Sequence, residues 1–222
     1  MKNLTNSTSK QDTELRERIV EHSRRRFMQY GFSSVTTDEL AAELGISKKT
    51  LYKHFRSKED LLRVSLLEMM QETELLIKGT ILDSDLSFVQ KLKKLIATVR
   101  KRIAPIQLPL IRDMQRLAPS VWSELEEFRR RVIVGAYRDV IRSGVDEGII
   151  SRDTDHELLM IMLRTLMDGM INPQVMSDMS HSVSEVYEFI MDVIFVGILT
   201  DNSRIEYMEN NNSRNAKIDE EL

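Results

Sequence analysis

Residues 47–54 read Ser-Lys-Lys-Thr-Leu-Tyr-Lys-His. An ammonium group can donate to phosphate or to guanine O6/N7, and threonine can meet phosphate or a thymine methyl. Lys48, Lys49 and Thr50 lie together at the start of this segment, behind the capping hydroxyl of Ser47. Tyr52, Lys53 and His54 share the same short helix and can reach backbone oxygens. Thr36, Thr37 and Lys58 sit at neighbouring helix starts, where free amides and a positive dipole end favour phosphate. The chemistry of the segment is that of a surface for a polyanion. For any one lysine, the alternative is an ordinary solvated charge. Chemistry of other kinds has little to stand on. The four histidines, His22, His54, His156 and His181, are scattered, and there are no cysteines. No HExxH, GxSxG, P-loop or dinucleotide fingerprint occurs. Asp153, Asp155 and Glu157 read as helix-start carboxylates. We expect no enzyme activity, no cofactor and no metal.

The elements that must position these side chains follow from local signals. Leu15, Ile19, Val20, Phe27 and Met28 fall at helical spacing between Asp12 and Tyr30, and Gly31 ends that helix. Thr36 with Glu39 fits a capping box for a short helix over 38–44. Gly45 supplies a turn that needs positive φ, and Ser47 caps a second short helix reaching Phe55. Ala41, Leu44, Ile46, Leu51 and Phe55 are small or apolar where two such helices must touch. Ser57 caps a long helix from Lys58 to about Gly79. The spacing is that of a helix-turn-helix, the second helix presenting its lysines outward.

The rest of the chain also reads as helices. With 8 Gly and 4 Pro in 222 residues, long helices with short connections are expected, and no alternating strand pattern appears. Helices are expected over 86–102, 120–147 and 182–199, with another from 153–155 to Ile171. Pro105, Pro109 and Pro119 divide the middle of the chain. The organisation expected is a disordered arm over 1–11, a DNA-binding domain over 12–65, a body over 66–200 and a flexible tail over 201–222. Residues 1–65 carry 13 Lys/Arg against 9 Asp/Glu, so the remainder holds an excess of seven negative charges within a net of −3. A basic head on an acidic body points to a polyanion partner at one end. The absence of a signal-like or membrane-length apolar run predicts a cytoplasmic protein without a membrane partner.

The pattern Gly31-Phe32, Thr36-Thr37, Leu40-Ala41, Leu44-Gly45-Ile46-Ser47, Thr50-Leu51-Tyr52-Lys53-His54-Phe55 and Ser57-Lys58-Glu59-Asp60-Leu61 resembles the N-terminal domain of the tetracycline-repressor (TetR) family. The resemblance covers residues 12–65 without a gap. It implies an all-α fold: a three-helix helix-turn-helix domain followed by a helical bundle for ligand binding and dimerisation. It further implies a homodimer on double-stranded operator DNA, with a repressor role and release by a small molecule. Thr36, Thr37, Lys48, Lys49, Thr50, Tyr52, His54 and Lys58 fall on the family's DNA-contact positions. Asp38 departs from the basic or neutral residue that would favour a phosphate there. The alternative class is a helical ligand-binding or interaction module without DNA-binding activity.

In the body, methionine is abundant. A broad apolar pocket would use this flexible, polarisable side chain, and so would an ordinary core. The pocket candidates are Met69, Met70, Phe88, Met114, Trp122, Phe128, Tyr137, Met162 and Met167. No cluster of Lys or Arg converging on an anion is discernible, so the expected effector is a small hydrophobic or amphipathic molecule. The last two long helices are apolar nearly all round, which requires burial on more than one side. Leu159, Leu163, Met170, Val186, Ile190 and Ile194 are the residues expected at a dimer interface; the alternative is a fully interior helix pair.

Overall fold

The computed structural model describes residues 2–151 and 154–208, with side chains from residue 10 onward. Its helices are α1 (Lys2–Tyr30), α2 (Thr37–Leu44), α3 (Lys48–His54), α4 (Lys58–Leu82), α5 (Phe88–Ile103), α6 (Leu108–Leu117), α7 (Pro119–Phe128), α8 (Gly135–Asp146), α9 (His156–Met170), α10 (Pro173–Met176) and α11 (Val183–Ile198). A π-helical segment, Arg129–Val134, joins α7 to α8. The fold is all-α; the extended pairing among the described residues is a single bridge between Ile150 and Leu199. No helix among the described residues is long and apolar enough to cross a membrane.

The chain forms two compact units: Met1–Glu72 with Pro105–Glu127, and Thr73–Ala104 with Phe128–Leu222. The division differs from the linear boundary expected at residue 65, because α6 and α7 belong with the N-terminal helices. Leu110, Ile111 and Met114 on α6 are buried, as are Phe27 and Met28 on α1. The Gln107 amide donates to the Met28 carbonyl at 3.0 Å, and the Ser33 amide to Asp113 Oδ2 at 2.6 Å. Gly31 makes this join possible. Its φ of +85° suits glycine, and a Cβ there would lie 2.9 Å from Pro109 Cβ.

In the second unit, α5, α8, α9 and α11 pack around Phe88, Leu92, Tyr137, Leu159, Ile190 and Phe195, all buried. Gly144 permits the α5–α8 approach, since a Cβ would meet the Phe88 ring at 2.5 Å. The hydroxyls of Tyr137 and Tyr187 bond to one another inside this core, and burial raises both pKa values well above the ordinary phenol range. Glu74 accepts two bonds from Arg131, at 3.2 and 3.0 Å, with Lys78 at 2.8 Å. Arg131 first and Lys78 second pull its carboxyl down to about 2. A depressed carboxyl stabilises the fold above its unfolded pKa and stops doing so as pH falls through the folded one. Glu74→Gln is therefore expected to lower Tm at neutral pH. That deficit should shrink between about pH 4.5 and 2, as thermal melts across that range would register.

Three expectations differ at the chain's ends and middle. Helix α1 begins at Lys2, inside the stretch expected to be a disordered arm. Residues 2–11 contain no Gly or Pro to interrupt the helical ladder. Residues 201–208 are helical, not a loose tail. Tyr207 is buried and donates to Asp192 Oδ1 at 2.8 Å, and Arg204 closes the end of α11 through the Val196 and Leu199 carbonyls at 2.8 and 3.0 Å. Polar composition hid one buried aromatic and one capping arginine. Residues 209–222 of the expected tail lie outside the described residues. The helix expected over 120–147 contains the π segment within its length, which no residue type there announces.

Candidate nucleic-acid interface

The reading helix is held from three sides. Thr36 caps α2: its Oγ1 accepts from the Glu39 amide at 3.2 Å, while Glu39 Oε2 accepts from the Thr36 amide at 2.9 Å. Those bonds hold the Glu39 carboxyl below its ordinary pKa, the Thr36 amide contributing most. Gly45, at φ +68°, ends α2 with Ile46 donating back to the Ala41 carbonyl at 2.9 Å. This is a Schellman turn, and it sets the entry to α3. Ser47 Oγ then accepts from the Thr50 amide at 3.0 Å and shares a hydrogen bond with the Thr50 hydroxyl at 2.8 Å. Leu51 and Phe55 seal the inner face of α3, each essentially inaccessible to water. Glu43 ties α2 to α1 through His22 at 2.6 Å and Arg26 at 3.2 Å. Arg24 pairs with Glu72 at 3.7 Å. Within the Arg24-Arg25-Arg26 run, two arginines are thus structural and Arg25 is exposed.

The outer face carries Ser47, Lys48, Lys49, Tyr52 and Lys53, all exposed. Their surroundings differ. Lys49 has no hydrogen bond or ion pair among the described residues. Lys48 Nζ donates to Asp38 Oδ2 at 2.7 Å across the turn, and that bond raises the lysine's pKa. Lys53 Nζ donates to Asp12 at 3.0 Å, which lowers the Asp12 pKa. Tyr52 OH lies 3.3 Å from the hydroxyl of buried Thr37, which tethers an otherwise exposed ring. Lys58 is half-buried, with Nζ 4.4 Å from the centroid of Phe32, and burial lowers its pKa. Asp38, an odd residue for such a surface, is explained by Lys48: it holds the ammonium in place on the free protein.

Residues 19–64 match the model of bacterial regulatory proteins of the tetR family. Over 83% of this chain and 96% of its own length, the HTH-type transcriptional regulator YvaF of Bacillus subtilis is 25% identical. The HTH-type transcriptional repressor AcnR of Corynebacterium efficiens is 25% identical over 79% of this chain and 89% of its own. A transcriptional regulator from Saccharomonospora viridis, solved in complex with choline, shares the fold with a TM-score of 0.65 at 23% identity, covering 85% of this chain and 99% of that one. The N-terminal domain of this chain is that of the TetR family. The chain is a DNA-binding transcriptional regulator.

Several expected site residues lie away from the exposed face of α3. The His54 side chain is 6% exposed and lies 3.6 Å from Asp12 beside the Phe55 ring, at the last residue of a seven-residue helix. Thr37 is buried and reaches the surface only through Tyr52. The residues expected at a dimer interface lie mostly inside the second unit. Leu159, Leu163, Val186, Ile190 and Ile194 are buried within the chain itself, and Met170 is half-buried. The apolar side chains that α9 and α11 leave in solvent are Leu158, Ile161 and Met162, and Phe189 and Val193. Hydrophobic type alone cannot tell these two faces apart. The pocket candidates are spread over both units. Met69, Met70 and Met114 in one, and Phe88, Phe128 and Tyr137 in the other, are buried core. Trp122 and Met167 are half-buried, while Met162 is a surface residue. Methionine here mostly fills ordinary core.

Proposed function

We propose that this regulator is a cytoplasmic homodimeric repressor that holds a palindromic operator and releases it when an amphipathic effector binds. The observation that carries the DNA part is the split character of α3. One face is sealed by Leu51 and Phe55, and the other exposes Ser47, Lys48, Lys49 and Tyr52. On this reading Lys49 and Lys48 meet base edges, Thr36, Thr50, Tyr52 and Lys53 meet the backbone, and Lys58 supports them from the start of α4.

Dimerisation is supported by the exposed row Leu158, Ile161, Met162, Phe189 and Val193 on two helices that pack together. Two heads on one dimer read half-sites about one helical turn (~34 Å) apart. Release follows if the effector binds better to a dimer geometry whose heads no longer fit successive grooves. A gel shift of the purified chain on its own upstream DNA tests this directly, with a scrambled duplex as competitor. Selective retention supports the reading, and equal retention of both duplexes sinks it.

The Asp38–Lys48 pair sets a further expectation. The carboxylate sits beside a cation meant for a polyanion, so Asp38→Asn removes repulsion and frees the lysine. Affinity for operator and for non-specific DNA should both rise severalfold at low salt and converge on wild type as salt screens them. Unchanged or weaker binding by fluorescence anisotropy would show that Asp38 positions Lys48 rather than restrains it.

A further inference from the structure

The second unit contains an open groove of ≈ 630 Å³ between the π segment with α8 on one side and α9 on the other. Arg130, Arg138, Arg142 and Arg164 line it, with His156 at the start of α9. Its single acidic lining residue is Glu157, and its apolar wall is Val134, Ile141, Met160 and Ile161. No such cluster is apparent along the sequence; tertiary packing assembles it from the π segment, α8 and α9.

Four guanidinium groups and one carboxylate give the groove a surplus of about three positive charges, inside a part of the chain whose net charge is negative. One carboxylate of α9 and one just after α8 have partners outside the groove lining. Asp168 pairs with Arg129, and Glu147 accepts from the Ser143 hydroxyl. Arg138, Arg142 and Arg164 have no hydrogen bond or ion pair among the described residues. His156 Nε2 is buried without a hydrogen-bond partner. Such an atom calls for a ligand or water.

The π segment adds to this. In a continuous α-helix, residues 130 and 138 would lie about 80° out of line. The wider turn over 129–134 reduces that offset and brings Arg130 onto the groove face. Segments of this kind are frequent at functional sites. Guanidinium forks match phosphate oxygens in bidentate fashion.

We propose that this groove binds an organic di- or polyphosphate carrying an apolar portion, and that this molecule is the effector. A monocarboxylate would neutralise one arginine and leave the others, whereas a diphosphate matches the surplus. The apolar wall beside the arginines takes the hydrocarbon part. This identity rests on the ligand-release reading above, but the site itself stands on the groove.

The test is isothermal titration calorimetry on the full-length protein with inorganic pyrophosphate, geranyl pyrophosphate and sodium decanoate. Pyrophosphate should bind, geranyl pyrophosphate at least about tenfold more tightly, and decanoate more weakly than either. Arg138→Gln with Arg142→Gln should weaken both pyrophosphates at least about tenfold. The charge-matched control, Arg116→Gln with Lys101→Gln, should leave them within about twofold. No binding at millimolar pyrophosphate in low salt, or equal loss in the control, overturns the site. If the groove variant is instead monomeric where wild type is dimeric, the arginines serve contact between copies and the proposal fails. A parallel gel shift separates the two readings. Protein that holds operator but ignores pyrophosphate overturns this site alone. Protein that binds pyrophosphate but never operator keeps the site and overturns the repressor.

Discussion

Phe189→Glu and Val193→Glu are expected to give folded monomers that lose operator binding. Phe189 is 64% exposed and Val193 57% in the single chain. A charge there costs the subunit's own fold almost nothing. In a dimer interface the same carboxylate would be dehydrated and unpaired, a cost of several kcal/mol. A lone head then reads one half-site without its tethered partner, which forfeits roughly 10²–10⁴ in affinity. The contrast with Ile190→Glu is the sharp part. Ile190 is 2% exposed and faces the core, so that variant should unfold and not merely dissociate. Sedimentation with circular dichroism separates the outcomes. A dimeric, operator-binding Phe189→Glu protein would move the interface elsewhere.

The second large effect is expected at Lys49. Its ammonium has no hydrogen bond or ion pair among the described residues, so no bond within the protein must be broken when it meets DNA. Lys49→Ala should cost about 1–3 kcal/mol of operator affinity, from several-fold to about a hundredfold. Lys48→Ala should cost less, because Lys48 must first give up its 2.7 Å bond to Asp38. Anisotropy titrations over single-base operator variants also assign the contact. Loss of discrimination at one position marks a base edge, and a salt slope lower by about one marks a phosphate. A wild-type affinity for Lys49→Ala would remove this residue from the reading surface.

The head was legible because its determinants are local. Thr36 with Glu39, Gly45 and Ser47 each act within a few residues, and the caps form as their spacing predicts. The inward turn of His54 is not legible, because a seven-residue helix has too few turns for spacing to separate inner from outer at its last position. Asp38 was unexplained until the turn brought it to Lys48, ten residues on. In the body, type and position parted company. Leu158 and Leu159 are adjacent leucines, one exposed and one buried, and only packing against α11 decides which is which. The arginine groove shows the same limit. Arg138 and Arg142 are one turn apart and readable as neighbours. Arg164 and His156 join them only through the α8–α9 packing, and Arg130 through a π turn. Tyr207 was hidden for a related reason: a single buried ring in a polar stretch leaves no periodicity.

Footprinting of the ligand-free full-length chain on the DNA upstream of its own coding region tests the central claim most directly. The account predicts one protected palindrome, with half-sites about a helical turn (~34 Å) apart or a multiple of it. Protection should be cooperative in protein and lost together from both halves in Lys49→Ala. Protection of random sequence to the same extent, or of one isolated half-site by wild-type protein, would contradict it.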